Sequence, residues 1–171
     1  MRRTRLPIAF ALTAILAARS AVAQRAVFVV RHAEKQIESN EASVPLSEAG
    51  RARARKLAAV LKNTGVTAIY STDTVRTLGT AEPLAEAMKI TVRKYSSAGP
   101  DGKTDLRPLA ARLKSEHARD VVLVVGHGDT VPPLLKALGC AEDIEIPSRQ
   151  FDDLFAVVPG ERGATLVRLT Y

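Results

Sequence analysis

Apolar residues in this chain gather into short valine-rich runs that end in polar residues, separated by stretches with helical spacing. The first run, residues 27–30, suits a strand covered on both faces, as in a parallel sheet. It ends at Arg31, His32, Ala33 and Glu34. Residues 35–44 carry no period and read as a loop over the strand end. Ser47 then caps a helix with Glu48 in its first turn, a core stripe of Leu57, Val60 and Leu61, and an αL-type stop at residues 63–65. Gly50 costs that helix some propensity, which predicts close packing against a neighbour. A second strand at 66–70 leads through Ser71, Thr72, Asp73 and Thr74 into a helix with Arg76 in its first turn. Pro83 is expected to break or kink this helix before residues 84–88 resume it. A third strand at 90–95 and a turn at 99–102 precede a helix from Leu106 to about His117, with Leu106, Leu109, Ala110 and Leu113 on one face. His117 is expected at the surface near the helix end.

Residues 121–125 repeat the opening pattern, a buried strand ending in Gly126, His127, Gly128, Asp129 and Thr130. Pro132 suits the first turn of the following helix, which buries Leu134, Leu135 and Leu138 and stops at Gly139. Residues 151–158 and 164–170 flank a Pro-Gly turn and predict a final hairpin at a sheet edge. This alternation predicts an α/β fold: a three-layer sandwich with a mostly parallel central sheet flanked by helices and an antiparallel edge strand.

The 171 residues, 46% hydrophobic and only 4% aromatic, fit one domain with an aliphatic core. Residues 1–23 have the layout of a cleavable export signal, with Arg2, Arg3 and Arg5, an apolar run over 8–18, and Ala21-Val22-Ala23 as cleavage site. That run is shorter than the roughly 18–20 residues of a spanning helix, so no stable membrane insertion is expected after cleavage. A retained anchor or a buried N-terminal helix is the alternative, and Arg2-Arg3 does not complete a twin-arginine pattern. The domain is then 24–171, with a periplasmic or secreted location. Losing four arginines and no acidic residue lowers the formal charge from +7 to +3. The densest basic cluster, Arg51, Arg53, Arg55 and Lys56, has no interleaved aromatic residue and reads as a solvated helix face, so no nucleic-acid partner is expected. Cys140 is the only cysteine, which excludes an intramolecular disulfide and a cysteine-based metal site, and it reads as a small buried hydrophobe. No pattern addresses oligomeric state.

In α/β sheets ligands bind beyond the carboxyl ends of the strands, where Arg31, His32 and His127 fall. The start of the second helix adds free backbone amides and Arg76, two devices for an anion. As an exposed helix residue, Arg76 would instead pair with Glu82 or Glu86. If these elements meet, two guanidiniums can cradle the non-bridging oxygens of a phosphoryl group while neutral His32 offers a ring nitrogen as nucleophile. Cationic neighbours favour that neutral form, and His127 adds a donor. Phosphoryl transfer needs mainly positioning and electrostatic stabilisation, which this set supplies with no metal or other cofactor.

The mature chain resembles the histidine phosphatase, or phosphoglycerate mutase-like, superfamily. The resemblance rests on Arg31-His32 after a valine strand, Pro45-Leu46-Ser47-Glu48-Ala49-Gly50-Arg51, Ser71-Thr72 to Arg76-Thr77, and Gly126-His127 after a second valine strand. The tail from Phe151 to Phe155 also looks like that of short exported members. The resemblance implies that His32 forms a phosphohistidine and that Arg31, Arg76 and His127 bind the phosphoryl group. Asp129 is the first candidate for proton donor to the leaving alcohol and Glu34 the second. Either carboxylate has a helix cap or an arginine pairing as its alternative role, Asp129 especially, before residues 130–138. Two departures stand out: the usual R-H-G is Arg31-His32-Ala33, which would strain a backbone requiring glycine geometry, and the glutamine that commonly follows the second arginine is absent, with Gly79 nearby.

The function expected is a phosphomonoesterase acting on a small phosphorylated substrate. Its alternatives are a phosphohistidine-protein phosphatase, a non-catalytic envelope anion-binding protein, and a metal hydrolase using His32, His127 and Asp129, against which two nearby arginines weigh. Mutases of the family carry longer insertions than this chain holds. Substrate determinants are expected in residues 35–44, 96–105 and 141–150.

Overall fold

Alternate residues of the valine-rich strands enter two different cores, because successive side chains of a strand point to opposite faces of the sheet. The computed structural model describes residues 26–160 and 163–171; the expected signal segment lies outside them. The elements are β1 (Ala26–Arg31), α1 (Glu48–Leu61), β2 (Val66–Ser71), α2 (Val75–Met88), β3 (Val92–Lys94), α3 (Arg107–Glu116), β4 (Val121–Gly126), α4 (Val131–Leu138), β5 (Asp153–Gly160) and β6 (Gly163–Thr170). The sheet order is β3-β2-β4-β1-β5-β6. β1 to β4 pair in parallel, and β5 runs antiparallel to both β1 and β6. Val27, Val29, Val122 and Val124 pack with Leu109 and Leu113 of α3 and Leu134, Leu135 and Leu138 of α4. Val30, Leu123 and Val125 pack on the other face with Leu57 and Leu61 of α1 and Leu84 of α2. Burying each such side chain contributes about 1.5–3 kcal/mol before entropy is set against it. The result is the three-layer α/β sandwich with an antiparallel edge.

Ser47 caps α1, its hydroxyl accepting from Gly50 N–H at 3.0 Å. A Cβ on Gly50 would run into the backbone carbonyl of Glu34, so this glycine lets α1 press against the loop that leaves β1.

Several local expectations change. Pro83 sits inside α2 without ending it; the buried Thr80, Ala81, Leu84 and Ala85 hold both halves against the core. Val60 is 46% exposed and off the core stripe. The stop of α1 is Lys62 in right-handed geometry, with Gly65 at φ +79° beyond it. β3 is shorter than residues 90–95, because Lys89 adopts the left-handed cap of α2 and Ile90 N–H closes that cap on Ala85. His117 is buried rather than exposed: its Nε2 lies 2.9 Å from the Tyr70 hydroxyl and its Nδ1 2.7 Å from Asp120. A phenol buried under α3 needs a polar partner, and the ring turns inward to provide it. The basic cluster on α1 is also not wholly solvated, since Arg53 reaches across to Glu34.

Candidate active site

Arg31 and Gly126 are register partners on β1 and β4, so the residues one step beyond, His32 and His127, leave the sheet side by side. His32 N–H donates to the Gly126 carbonyl at 2.9 Å, and the two imidazole rings sit edge to face with centroids 5.3 Å apart. The helices after these strands pack on opposite faces, which opens a crevice between the strand ends. From β2 on the other side of β4, Thr72 Oγ1 lies 2.8 Å from His127 Nε2 and donates to Thr77 Oγ1 at 3.0 Å.

His32 Nδ1 is 2.7 Å from the Ala33 carbonyl. A carbonyl only accepts, so Nδ1 carries the proton and Nε2 keeps its lone pair. Burial, followed by the charges of His127, Arg31 and Arg76, pushes the His32 pKa down to about 3 against the opposing Ala33 hydrogen bond. Burial and Arg76 lower that of His127 to about 4. Both rings are therefore neutral at physiological pH.

Arg31 lies over the Phe151 ring, 4.3 Å from its centroid, and Nη1 donates to the carbonyls of Pro147 and Gln150 at 3.0 and 3.1 Å. Arg76 is buried and donates from Nη1 to the Glu41 carbonyl at 2.7 Å; it forms no ion pair with Glu82 or Glu86 among the described residues. In both, Nε is buried with no protein partner among the described residues. Burial lowers the pKa of each, yet a guanidinium stays charged in proteins. Each arginine is thus fixed by backbone carbonyls while retaining donors. The amides of the helix start are less available than expected: Val75 N–H donates to the Ala42 carbonyl and Thr77 N–H to Thr74 Oγ1. The anion device there is the Arg76 side chain.

Arg31, His32, Arg76, His127 and Asp129 line one cavity of about 640 Å³. Asp129 is exposed on its wall and makes no side-chain hydrogen bond or ion pair among the described residues. It does not cap α4, whose N-cap is Thr130; the Thr130 hydroxyl instead accepts from His127 N–H at 2.8 Å and steadies that loop. Glu34 is placed differently. Arg53 Nε and Nη2 grip its carboxylate at 2.7–2.9 Å. Burial alone would raise the Glu34 pKa, but the Arg53 hydrogen bonds and charge hold it below the ordinary range. It is not among the cavity-lining residues and anchors the loop after His32, so of the two candidate carboxylates Asp129 is the one that faces the cavity. Among the described residues no group of three His, Cys, Asp or Glu side chains is spaced to hold a metal ion, so His32, His127 and Asp129 do not form the donor set a metal hydrolase needs.

Ala33 sits without strain: Lys89 is the only non-glycine residue with positive φ among the described residues. Its N–H donates to Thr80 Oγ1 at 3.0 Å, and Thr80 Oγ1 donates to the Arg76 carbonyl at 2.8 Å. This joins the loop carrying His32 to the helix carrying Arg76. Sequence patterns do not single out three other contributors. Thr72 reads as part of a helix cap and of a family-like motif, Phe151 as the start of a strand and of a family-like tail, and Lys35, which also lines the cavity, as a loop residue, with no role in the site attached to any of them. The run Arg31-His32-Ala33-Glu34-Lys35 held the available signal for Lys35, a second cation four residues after Arg31.

Residues 27–97 match the model of the histidine phosphatase superfamily, branch 1. The matched stretch holds Arg31, His32 and Arg76 and ends before His127. No curated protein matches the sequence. Among solved structures, the protein histidine phosphatase SixA in complex with tungstate is similar at 20% identity and a TM-score of 0.69, covering 85% of this chain and 96% of that one. The alpha-ribazole phosphatase from Shigella flexneri is similar at 15% identity and 0.66, covering 85% and 96%. A mycobacterial glucosyl-3-phosphoglycerate phosphatase is similar at 20% identity and 0.62, covering 86% and 98%. At these identities the likeness is one of fold.

The two lowered histidines set a pH dependence for this histidine phosphatase fold. An unfolded histidine titrates near 6.5, so between that value and about 3 to 4 the unfolded chain binds more protons than the native one. Their contribution to stability is complete above about pH 6.5 and is lost as pH falls toward the native values. In a histidine-selective NMR titration, His32 and His127 should remain largely neutral at about pH 5; protonation of either with an ordinary midpoint near 6.5 would contradict the buried, cation-flanked geometry.

Proposed function

We propose that the protein is an exported phosphomonoesterase that cleaves a small phosphate ester through a phosphohistidine on His32. The observation that carries this reading is the His32 ring: buried, neutral, held through Nδ1 by the Ala33 carbonyl, with Nε2 unengaged in a cavity shared with two guanidiniums. In the first step the Nε2 lone pair forms a bond to phosphorus as the ester P–O bond breaks, and Asp129 gives its proton to the departing alkoxide. In the second, water attacks phosphorus, the N–P bond breaks, Asp129 takes the proton from the water, and phosphate leaves. Arg31 and Arg76 stabilise the charge on the equatorial oxygens, and His127, steadied by Thr72, sits beside the reacting centre.

The protein should release nitrophenol from p-nitrophenyl phosphate in the presence of a chelator. Strict dependence on added divalent metal would favour hydrolysis by a metal-bound water and overturn the phosphohistidine route.

Export is supported by the basic, apolar and small-residue segments of residues 1–23. Among the described residues no helix is long and apolar enough to cross a membrane. The N-terminal sequence of envelope-derived protein should begin at Gln24; an intact leader on cytoplasmic protein would contradict export.

A further inference from the structure

Arg31 is held by one short segment, residues 147–151. Its Nη1 donates to the carbonyls of Pro147 and Gln150 at 3.0 and 3.1 Å, and its Cζ lies 4.3 Å from the centroid of the Phe151 ring. The loop after β4 closes on the guanidinium as well: a Cβ on Gly128 would stand 3.5 Å from Nε and 3.6 Å from Cζ. Nε is buried, Nη1 is engaged, and Nη2 is neither buried nor hydrogen-bonded among the described residues. None of the ion pairs among the described residues involves Arg31. A half-buried cation on the cavity wall is therefore held by carbonyl dipoles and an aromatic face, without a carboxylate.

From this geometry we propose that Phe151 is a positioning residue for the phosphoryl site, its ring face setting the plane of the Arg31 guanidinium so that Nη2 meets the anion. The proposal rests on the phosphomonoesterase reading for the identity of that anion. The hydrogen bonds at Nη1 fix where that nitrogen sits and leave the rest of the group free to pivot about it. A ring stacked on the planar guanidinium removes that freedom. A carboxylate would also hold the group, but it would take its donors and neutralise the charge that the phosphoryl oxygens need. The π face attracts the cation through its quadrupole and occupies none of the in-plane N–H groups. The same ring borders the nucleophile, with its centroid 6.1 Å from that of His32 and the planes tilted by 46°. Arg76 is supported elsewhere, at the start of α2, by the Glu41 carbonyl, so a change at Phe151 should reach the anion through Arg31 alone.

A double-mutant cycle read by phosphate affinity tests this role. NMR titration of the full-length protein with inorganic phosphate would compare wild type, Phe151→Leu, Phe151→Tyr, Arg31→Met and the Phe151→Leu, Arg31→Met pair. Phe151→Leu keeps most of the apolar volume and removes the π face; it should weaken phosphate binding by about tenfold, within the range of a partly desolvated cation–π contact. Phe151→Tyr keeps the face and should restore affinity to within about threefold of wild type. In the Arg31→Met background Phe151→Leu should add nothing, because the group it positions is gone. Wild-type affinity in Phe151→Leu, no rescue by tyrosine, or an equal loss with and without Arg31 would each overturn the proposal, the last being what a ring that only supports the fold would give. The expected pattern of phosphate binding in a protein that releases no nitrophenol from p-nitrophenyl phosphate would sink the phosphatase reading and leave the role of Phe151 standing.

Discussion

His32→Ala should lower turnover of any phosphate monoester by about 10⁴-fold or more, because it removes the atom that bonds to phosphorus and not merely a positioning group. The fold should survive. The wild-type ring is neutral, with its pKa driven to about 3 chiefly by burial, so it carries no ion pair to lose, and its one side-chain hydrogen bond is to the adjacent Ala33 carbonyl. The variant therefore loses one local bond and some buried volume. Phosphate affinity should be largely retained, since Arg31 and Arg76 are positioned by the carbonyls of Pro147, Gln150 and Glu41 and not by His32. Steady-state kinetics combined with equilibrium binding of inorganic phosphate separates the two effects. Substantial residual turnover with normal phosphate binding would remove His32 from the nucleophile's role.

Asp129→Asn should separate substrates by leaving group. An alkoxide departs slowly unless protonated as the P–O bond breaks, whereas nitrophenolate leaves unaided. The variant should lose about 10²–10⁴-fold with alkyl phosphates and far less with p-nitrophenyl phosphate. Asp129 is exposed on the cavity wall and has no partner among the described residues to lose, so stability should hardly change. Equal losses for both substrate types would assign Asp129 an electrostatic role near Arg31 and Arg76. In that case Glu34 does not inherit the acid role, because its carboxylate is held by Arg53 below the ordinary range.

The parts of this architecture legible from the sequence are those dictated by period and by strand ends. Valine runs at 27–30 and 121–125 announce strands buried on both faces, and the parallel register of β1 and β4 makes the polar residues after each run neighbours. Gly50 in a helix first turn signals the close approach to Glu34. What resists sequence reading is partner choice across the fold. Nothing in the pattern of α1 tells that Arg53 will grip Glu34 while Arg55 and Lys56 stay exposed, or that His117 will turn inward to Tyr70. The loops around the cavity are likewise visible only as aperiodic stretches, and it takes the folded chain to show that residues 35–44, 96–105 and 141–150 converge on one mouth. Ala33 reads as a strained substitution only when glycine geometry is assumed; the backbone there does not require positive φ.

The covalent intermediate is the most direct point of contact between this account and experiment. Rapid acid-free quenching of the full-length protein with a labelled phosphomonoester, followed by peptide mapping, should find one phosphoryl group on His32 that is labile to acid and stable to base. Label on another residue, label retained in His32→Ala, or turnover with no trapped phosphoryl group under conditions where the second step is rate-limiting would contradict it.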